Sequence, residues 1–172
     1  YNNQGIGRIH GLELQQKWNL QPWTLIGAYT YSQSFRQSPG EPEFPTAQDQ
    51  THNLNLMASY ESQKWLFSGR GRYVTGSPFT PVESGVMDAD NDVFVPIRGP
   101  LFSGRKPHFA QVDLRIDRKW IYDEWILSGY LDIQNIFNQK NIEGIDYSYD
   151  YSQRQDITGL PTIATLGIKG EF

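Results

Sequence analysis

Apolar and polar residues alternate one by one through segment after segment of this chain, and helical spacing of apolar residues is poor throughout. A period of two marks a strand with two unlike faces, because successive side chains point to opposite sides of a sheet. Seven such segments stand between runs of Gly, Pro, Asn and Asp. The first, Arg8 to Trp18, sets Leu12, Leu14 and Trp18 against Glu13, Gln15 and Lys17, with Gln16 a polar exception on the apolar side. The second, Trp23 to about Ser34, sets Trp23, Leu25, Tyr29 and Tyr31 against Thr24, Thr30 and Ser32. The third, about Thr51 to Tyr60, opposes Leu54, Leu56, Ala58 and Tyr60 to Asn53, Asn55 and Ser59. The fourth opposes Trp65, Phe67 and Tyr73 to Ser68, Arg70 and Arg72. In the fifth, Ala110, Val112, Leu114, Ile116 and Trp120 face away from Gln111, Asp113, Arg115, Asp117 and Lys119. The sixth sets Trp125, Leu127, Leu131 and Ile133 against Ser128, Tyr130, Asp132 and Gln134, and the seventh puts Leu166, Ile168 and Phe172 on one face.

The connections alternate between two kinds. Short ones join Trp18 to Trp23, Tyr60 to Trp65 and Trp120 to Trp125; long ones run roughly from Ser34 to Gln50, Gly76 to Pro107 and Asn138 to Gly159. Short turns on one side and long loops on the other are the build of an outer-membrane β-barrel, with turns in the periplasm and loops outside. Each short turn is flanked by two aromatic residues five apart on the apolar face: Trp18 and Trp23, Tyr60 and Trp65, Trp120 and Trp125. Aromatic rings with a polar edge belong at a membrane interface, so these six read as a periplasmic girdle. Tyr31 and Tyr73 follow Trp23 and Trp65 by eight residues. At a strand tilt near 45° that is a rise of roughly 19 Å, comparable with a ~25 Å apolar band. A soluble antiparallel sheet covered by a second layer is the competing fold, but no helical pattern offers that layer.

Composition changes the picture only once the alternation is known. Among 172 residues, 38% are apolar and the mean hydropathy is low, which suits a membrane barrel because lumenal and lipid-facing residues average out. No run of eighteen apolar residues exists for a membrane helix, so any crossing is made by strands. With 15 basic and 19 acidic residues, and no basic stripe, nucleic-acid binding is excluded. Cysteine is absent, which removes disulfides and thiolate metal sites. No cofactor is expected.

Short ordered motifs carry a resemblance across nearly the whole chain: HGLEL (His10 to Leu14), RYVTGSPFTPV (Arg72 to Val82), QVDLRIDRKW (Gln111 to Trp120), YLDIQNIFNQKN (Tyr130 to Asn141) and GLPTIATLGIKGEF (Gly159 to Phe172). In that order they resemble the C-terminal barrel region of TonB-dependent outer-membrane receptors. The resemblance implies an all-β, antiparallel transmembrane barrel segment over 1–172, part of a 22-stranded barrel with an internal plug. It implies import of a bulky scarce nutrient (siderophore, cobalamin, carbohydrate or peptide) powered through TonB, in a Gram-negative outer membrane. Plug, earlier strands and TonB-contacting segment would belong to the remainder of the receptor, and the chain would be a fragment, a processed product or one piece of a split receptor. Phe172, Ile168 and Leu166 resemble the terminal signal read by the barrel assembly machinery, with Gly170 departing from it. The seven-strand count is odd, and an unpaired edge in lipid leaves backbone groups unsatisfied, so the first strand is expected to pair outside this sequence. A small passive or structural barrel, self-contained or closed by oligomerisation, is the alternative.

Candidate chemistry is sparse. Glu13, Lys17, Arg70, Arg72, Asp113, Arg115, Asp117, Lys119 and Asp132 share the lumenal parity, with five positive charges against four negative. Mixed charge suits contact with a plug better than a single-sign pore, and Arg70, Arg72, Asp113, Arg115 and Asp132 are the candidates for plug or ligand contact. His10, His52 and His108 share the apolar parity and read as outer-interface residues. Asp88, Asp90 and Asp92 have the spacing that opens a calcium loop, but Val93 stands where glycine is needed and Gly99 where glutamate is needed, so a solvated acidic tip is expected. Tyr147, Tyr149 and Tyr151 read as an extension of the sixth strand packed on a neighbour, with ligand contact as the other possibility. No Ser/His/Asp set lines up on the lumenal face, so an enzyme is not expected.

Overall fold

The computed structural model describes residues 4–172 and contains strands but, among those residues, no helix. In chain order the strands are β1 (Ile6–Leu20), β2 (Trp23–Gln37), β3 (Phe44–Pro45), β4 (His52–Glu61), β5 (Trp65–Val74), β6 (Pro78–Phe79), β7 (Val82–Asp88), β8 (Val93–Arg98), β9 (Gly104–Arg105), β10 (Phe109–Ile121), β11 (Ile126–Gln134), β12 (Ile142–Tyr147), β13 (Arg154–Thr158) and β14 (Ile163–Glu171). The seven long strands form one antiparallel sheet in the order β1-β2-β4-β5-β10-β11-β14, with the short β3 added to the outer part of β2. Each long strand therefore lies beside the next long strand in sequence. These are the seven segments that alternation predicts.

Register follows from the pattern, since directly opposed residues share a face and a slip by one would turn every apolar side chain over. Trp23 opposes Tyr60, Tyr60 opposes Phe67, Phe67 opposes Ile116, and Ile116 opposes Leu131, which opposes Leu166. On the other face Gln15, Ala28, Asn55, Arg72 and Gln111 stand in one row across five strands, polar at every position but Ala28. The turn Leu20↔Trp23 is closed by two residues, and the other two short turns are closed by Ser62 N–H to Trp65 C=O and Tyr122 N–H to Trp125 C=O, at 2.8 and 2.9 Å.

A water-soluble sheet buries its apolar face against a second layer. Here the apolar face is bare: Leu12, Leu14, Leu166 and Ile168 are 67, 56, 79 and 84% exposed, and Val74 alone among the described hydrophobic residues is buried. The sheet has two edges, for β1 pairs with β2 alone and β14 with β11 alone among the described residues.

The long connections are more ordered than the reading of them as loops suggests. One carries the β7–β8 hairpin and the short β6–β9 pair, and another the β12–β13 hairpin. Register shifts at Val82/Ser84 and Ile142/Gly144 break the period of two there. That interruption hides the strands from a search for alternation. The tyrosine-rich stretch does not extend the sixth strand: β12 is separated from β11 by the Asn135–Asn141 turn and pairs with β13 in its own ribbon.

Candidate functional site: two faces and an outer rim

On the apolar face an aromatic row crosses the sheet at the level of the short turns. Trp23 meets Tyr60 edge-on at 5.0 Å, Tyr60 lies 6.4 Å from Phe67, and Phe67 stacks on Trp65 at 5.9 Å. At the far end Tyr122 stacks on Trp125 at 4.7 Å, and Trp125 on Phe172 at 6.1 Å. Trp18 leans over Gly27 and Trp120 over Gly129; a Cβ at Gly129 would stand 3.3 Å from the Trp120 ring, so glycine makes room for the indole. Between Trp65 and Trp120 the row is bridged by a residue that the alternation pattern passes over. Arg118 opposes Trp65, and its guanidinium lies 4.9 Å from each of the two ring centroids.

The polar face is held by charges that the strand register brings together. Arg70 opposes Asp113 and makes two hydrogen bonds to its Oδ2, at 3.0 and 2.5 Å. Asp113 Oδ1 also accepts from the Gln111 side chain at 2.7 Å and from the Asn135 backbone N–H at 3.0 Å. Arg115 pairs with Asp117 at 2.8 Å and reaches Asp132 at 3.7 Å, with its guanidinium 4.1 Å from the centre of the Tyr130 ring. Tyr130 in turn lies across Gly167, where any Cβ would collide with the ring. Arg72 sits over Phe109 at 5.3 Å. Glu13, Lys17, Arg72 and Lys119 form no ion pair among the described residues.

Asn135 and Asn141, both buried, turn the chain beyond β11. Asn135 adopts φ 51°, a left-handed conformation that asparagine tolerates. Its amide group donates to Gln139 and Leu160 carbonyls and accepts from Gln139 N–H. Asn141 bonds both backbone groups of Ala110 at 2.9 Å. The run of asparagines in the QNIFNQKN motif was the available signal for this cluster, since asparagine is the residue that closes such turns.

At the outer rim the long connections are tied together. Buried Asp49 accepts the Ser34 N–H at 2.9 Å and pairs with Arg105 at 2.5 Å, and Arg105 also donates to the carbonyls of Asp49 and Gly76. The Tyr147 hydroxyl accepts from Val82 N–H at 3.2 Å, and the Tyr149 hydroxyl donates to Asp92 C=O at 2.8 Å. His52 bonds the Tyr29 hydroxyl at 2.8 Å, His108 lies 5.3 Å from the Tyr73 ring, and His10 bonds Gln33 at 3.1 Å. Asp88, Asp90 and Asp92 occupy the β7–β8 tip. There the Asp88 carboxylate accepts from the Asn91 side chain and then from Asp90 N–H, bonds that hold its pKa below the usual range. Among the described residues no three His, Cys, Asp or Glu side chains converge as a metal site.

A family model described as "TonB dependent receptor-like, beta-barrel" matches residues 1–136. The chain belongs to this family. No curated protein and no solved structure matches it.

Membership in the TonB-dependent receptor barrels explains the bare apolar face without a missing second layer. The sheet is a segment of an outer-membrane barrel wall, one side apolar and the other lined with polar groups, in a family of receptors that work in transport and not in an enzyme class. Such barrels belong to the Gram-negative outer membrane. The matched residues take in β1 to β11, and with them both members of the Arg70–Asp113 pair and all six turn-flanking aromatics.

Proposed function

We propose that this chain forms the C-terminal wall of a TonB-dependent transporter that imports a bulky scarce nutrient. Siderophores, cobalamin, carbohydrates and peptides are the candidate classes. The observation that carries the reading is the pairing of a family match with two opposite faces: one apolar and uncovered, the other polar with charges bonded across and along its strands. In this reading the short turns face the periplasm, and Trp18, Trp23, Tyr60, Trp65, Trp120 and Trp125 anchor the wall at that interface. The polar face looks into the lumen of a 22-stranded barrel completed by earlier strands of the same receptor. Leu166 and Ile168, exposed on β14, and Phe172, exposed just beyond it, are the residues offered to the assembly machinery.

The ion pairs refine which lumenal groups meet the plug. Arg70 pairs with Asp113, and Arg115 with Asp117 and more distantly with Asp132, so these charges are spent within the wall and stiffen it. Glu13, Lys17, Arg72 and Lys119 retain free charges for plug or ligand. The test is uptake by intact cells: deletion of the gene should abolish growth on one limiting nutrient, and loss of TonB should do the same with the receptor present. Uptake that persists without TonB would sink the energised-import reading in favour of a passive barrel.

A further inference from the structure

Arg118 is a cation on the lipid-side parity. It shares that face with Ile116 and Trp120, opposes Trp65 on β5 and Gly129 on β11, and is wedged between two indoles. It forms no ion pair among the described residues, and its Nε is buried with no hydrogen-bond partner. A guanidinium carries five donors in a planar fork that matches a phosphate, and stacking against rings leaves the edge of that plane available. Beside it runs an open groove of about 720 Å³, walled almost wholly by apolar atoms, with Ile116, Leu131, Leu166 and Ile168 along it. Gly129, opposite Arg118, lies beneath the Trp120 ring, and Arg118, Trp120 and Gly129 together line one part of the groove. Arg118 lies two residues from Trp120, roughly 7 Å along the strand from the girdle ring, so its head can reach the interface while its stem stays in the apolar layer.

We propose that Arg118 and this groove bind one glycerophospholipid of the periplasmic leaflet, with its phosphodiester on the guanidinium and an acyl chain along Ile116, Leu131, Leu166 and Ile168. This rests on the orientation proposed above, with the apolar face toward lipid and the short turns toward the periplasm. The occupant is a phospholipid and not a soluble anion because the one cation adjoins a long apolar groove. The indoles fix the guanidinium in place, so little freedom is lost when the headgroup docks.

The experiment uses the full-length receptor purified in non-ionic detergent, with phosphatidylglycerol as the probe. Native mass spectrometry should find a retained phospholipid in the wild type. Arg118→Leu should weaken its binding at least tenfold, and Arg118→Lys should keep part of it. Added phosphatidylglycerol should raise the unfolding temperature of the wild type and not that of Arg118→Leu. If Arg118→Leu fails to assemble, as judged by heat-modifiable gel mobility, Arg118→Gln carries the same comparison. Equal retention in wild type and the neutral variant overturns the proposal, as does displacement of the lipid by millimolar inorganic phosphate. A separate arm checks the orientation: in nanodiscs, lipids brominated on the acyl chain should quench tryptophan emission in the wild type and in every variant. Absence of quenching throughout would sink the lipid-facing reading itself, whereas quenching with unchanged lipid retention sinks only the Arg118 site.

Discussion

Asp113 is the point on the polar face where bonds from three segments meet: Arg70 on β5, Gln111 on its own strand and the Asn135 backbone beyond β11. Its side chain is only 10% exposed while that of Arg70 is 64% exposed, so the two ends of the pair are unequal. Asp113→Ala strands a buried backbone N–H and should cost about 2 kcal/mol. Arg70→Met leaves a carboxylate that still has two donors and should cost about 0.5 kcal/mol. Urea midpoints of the heat-modifiable gel shift measure both, and equal costs would refute this asymmetry. Asp150 gives a pH dependence outside the spanning strands. The Ser148 hydroxyl, then Ser152, hold its pKa down from 3.8 to about 2. A depressed carboxyl contributes stability that is full above its unfolded pKa and is lost as pH falls through the folded one. The β12–β13 turn should therefore stay closed at mildly acidic pH and loosen as pH drops through 3.8 toward about 2. Amide exchange at Ser152, corrected for its intrinsic rate, reads this, and Asp150→Asn should abolish the pH response.

Among the elements, the long connections behave as one rim because a few buried polar groups span them. Asp49 and Arg105 join the segment after β2 to the β6–β9 pair, and Asn141 fastens the start of β12 to the start of β10. Asp49→Ala leaves the Arg105 fork without its carboxylate and should cost about 2 kcal/mol, felt locally as faster proteolysis of residues 38–50 with little change in the sheet. Asn141→Ala frees both backbone groups of Ala110 and should raise exchange at that amide by an order of magnitude or more, about 1.4 kcal/mol of local opening. Uniform destabilisation of the whole sheet by either variant would show that rim and wall unfold together.

For the whole molecule, the bare apolar face and the two free edges carry the same message. A sheet edge in hydrocarbon leaves N–H and C=O groups without partners, each at a cost of several kcal/mol, so the wall is stable in lipid when further strands close it. Amides of β1 should exchange as slowly as those of β4 in the intact receptor, and much faster in the isolated 172-residue chain. Equal protection in both would mean that the segment closes by itself or with copies of itself.

Much of this was legible in the order of residues. Strict alternation can be satisfied only by a two-faced strand, so the seven long strands, their apolar side and the turn-flanking aromatics follow from local chemistry alone. The family could be recognised from five ordered motifs. Residue order could not say which charges meet, because Arg70 and Asp113 stand 43 apart and are joined only by the β5–β10 register. Nor could it find the rim hairpins, whose bulges erase the period of two, or say what Arg118, placed by parity on the side of Ile116 and Trp120, meets there. A charge in a row of charges takes its meaning from the side of the sheet it faces and from what crosses beside it. For Arg118 that was decided by Trp65 on the adjacent strand, a contact between residues far apart in the chain.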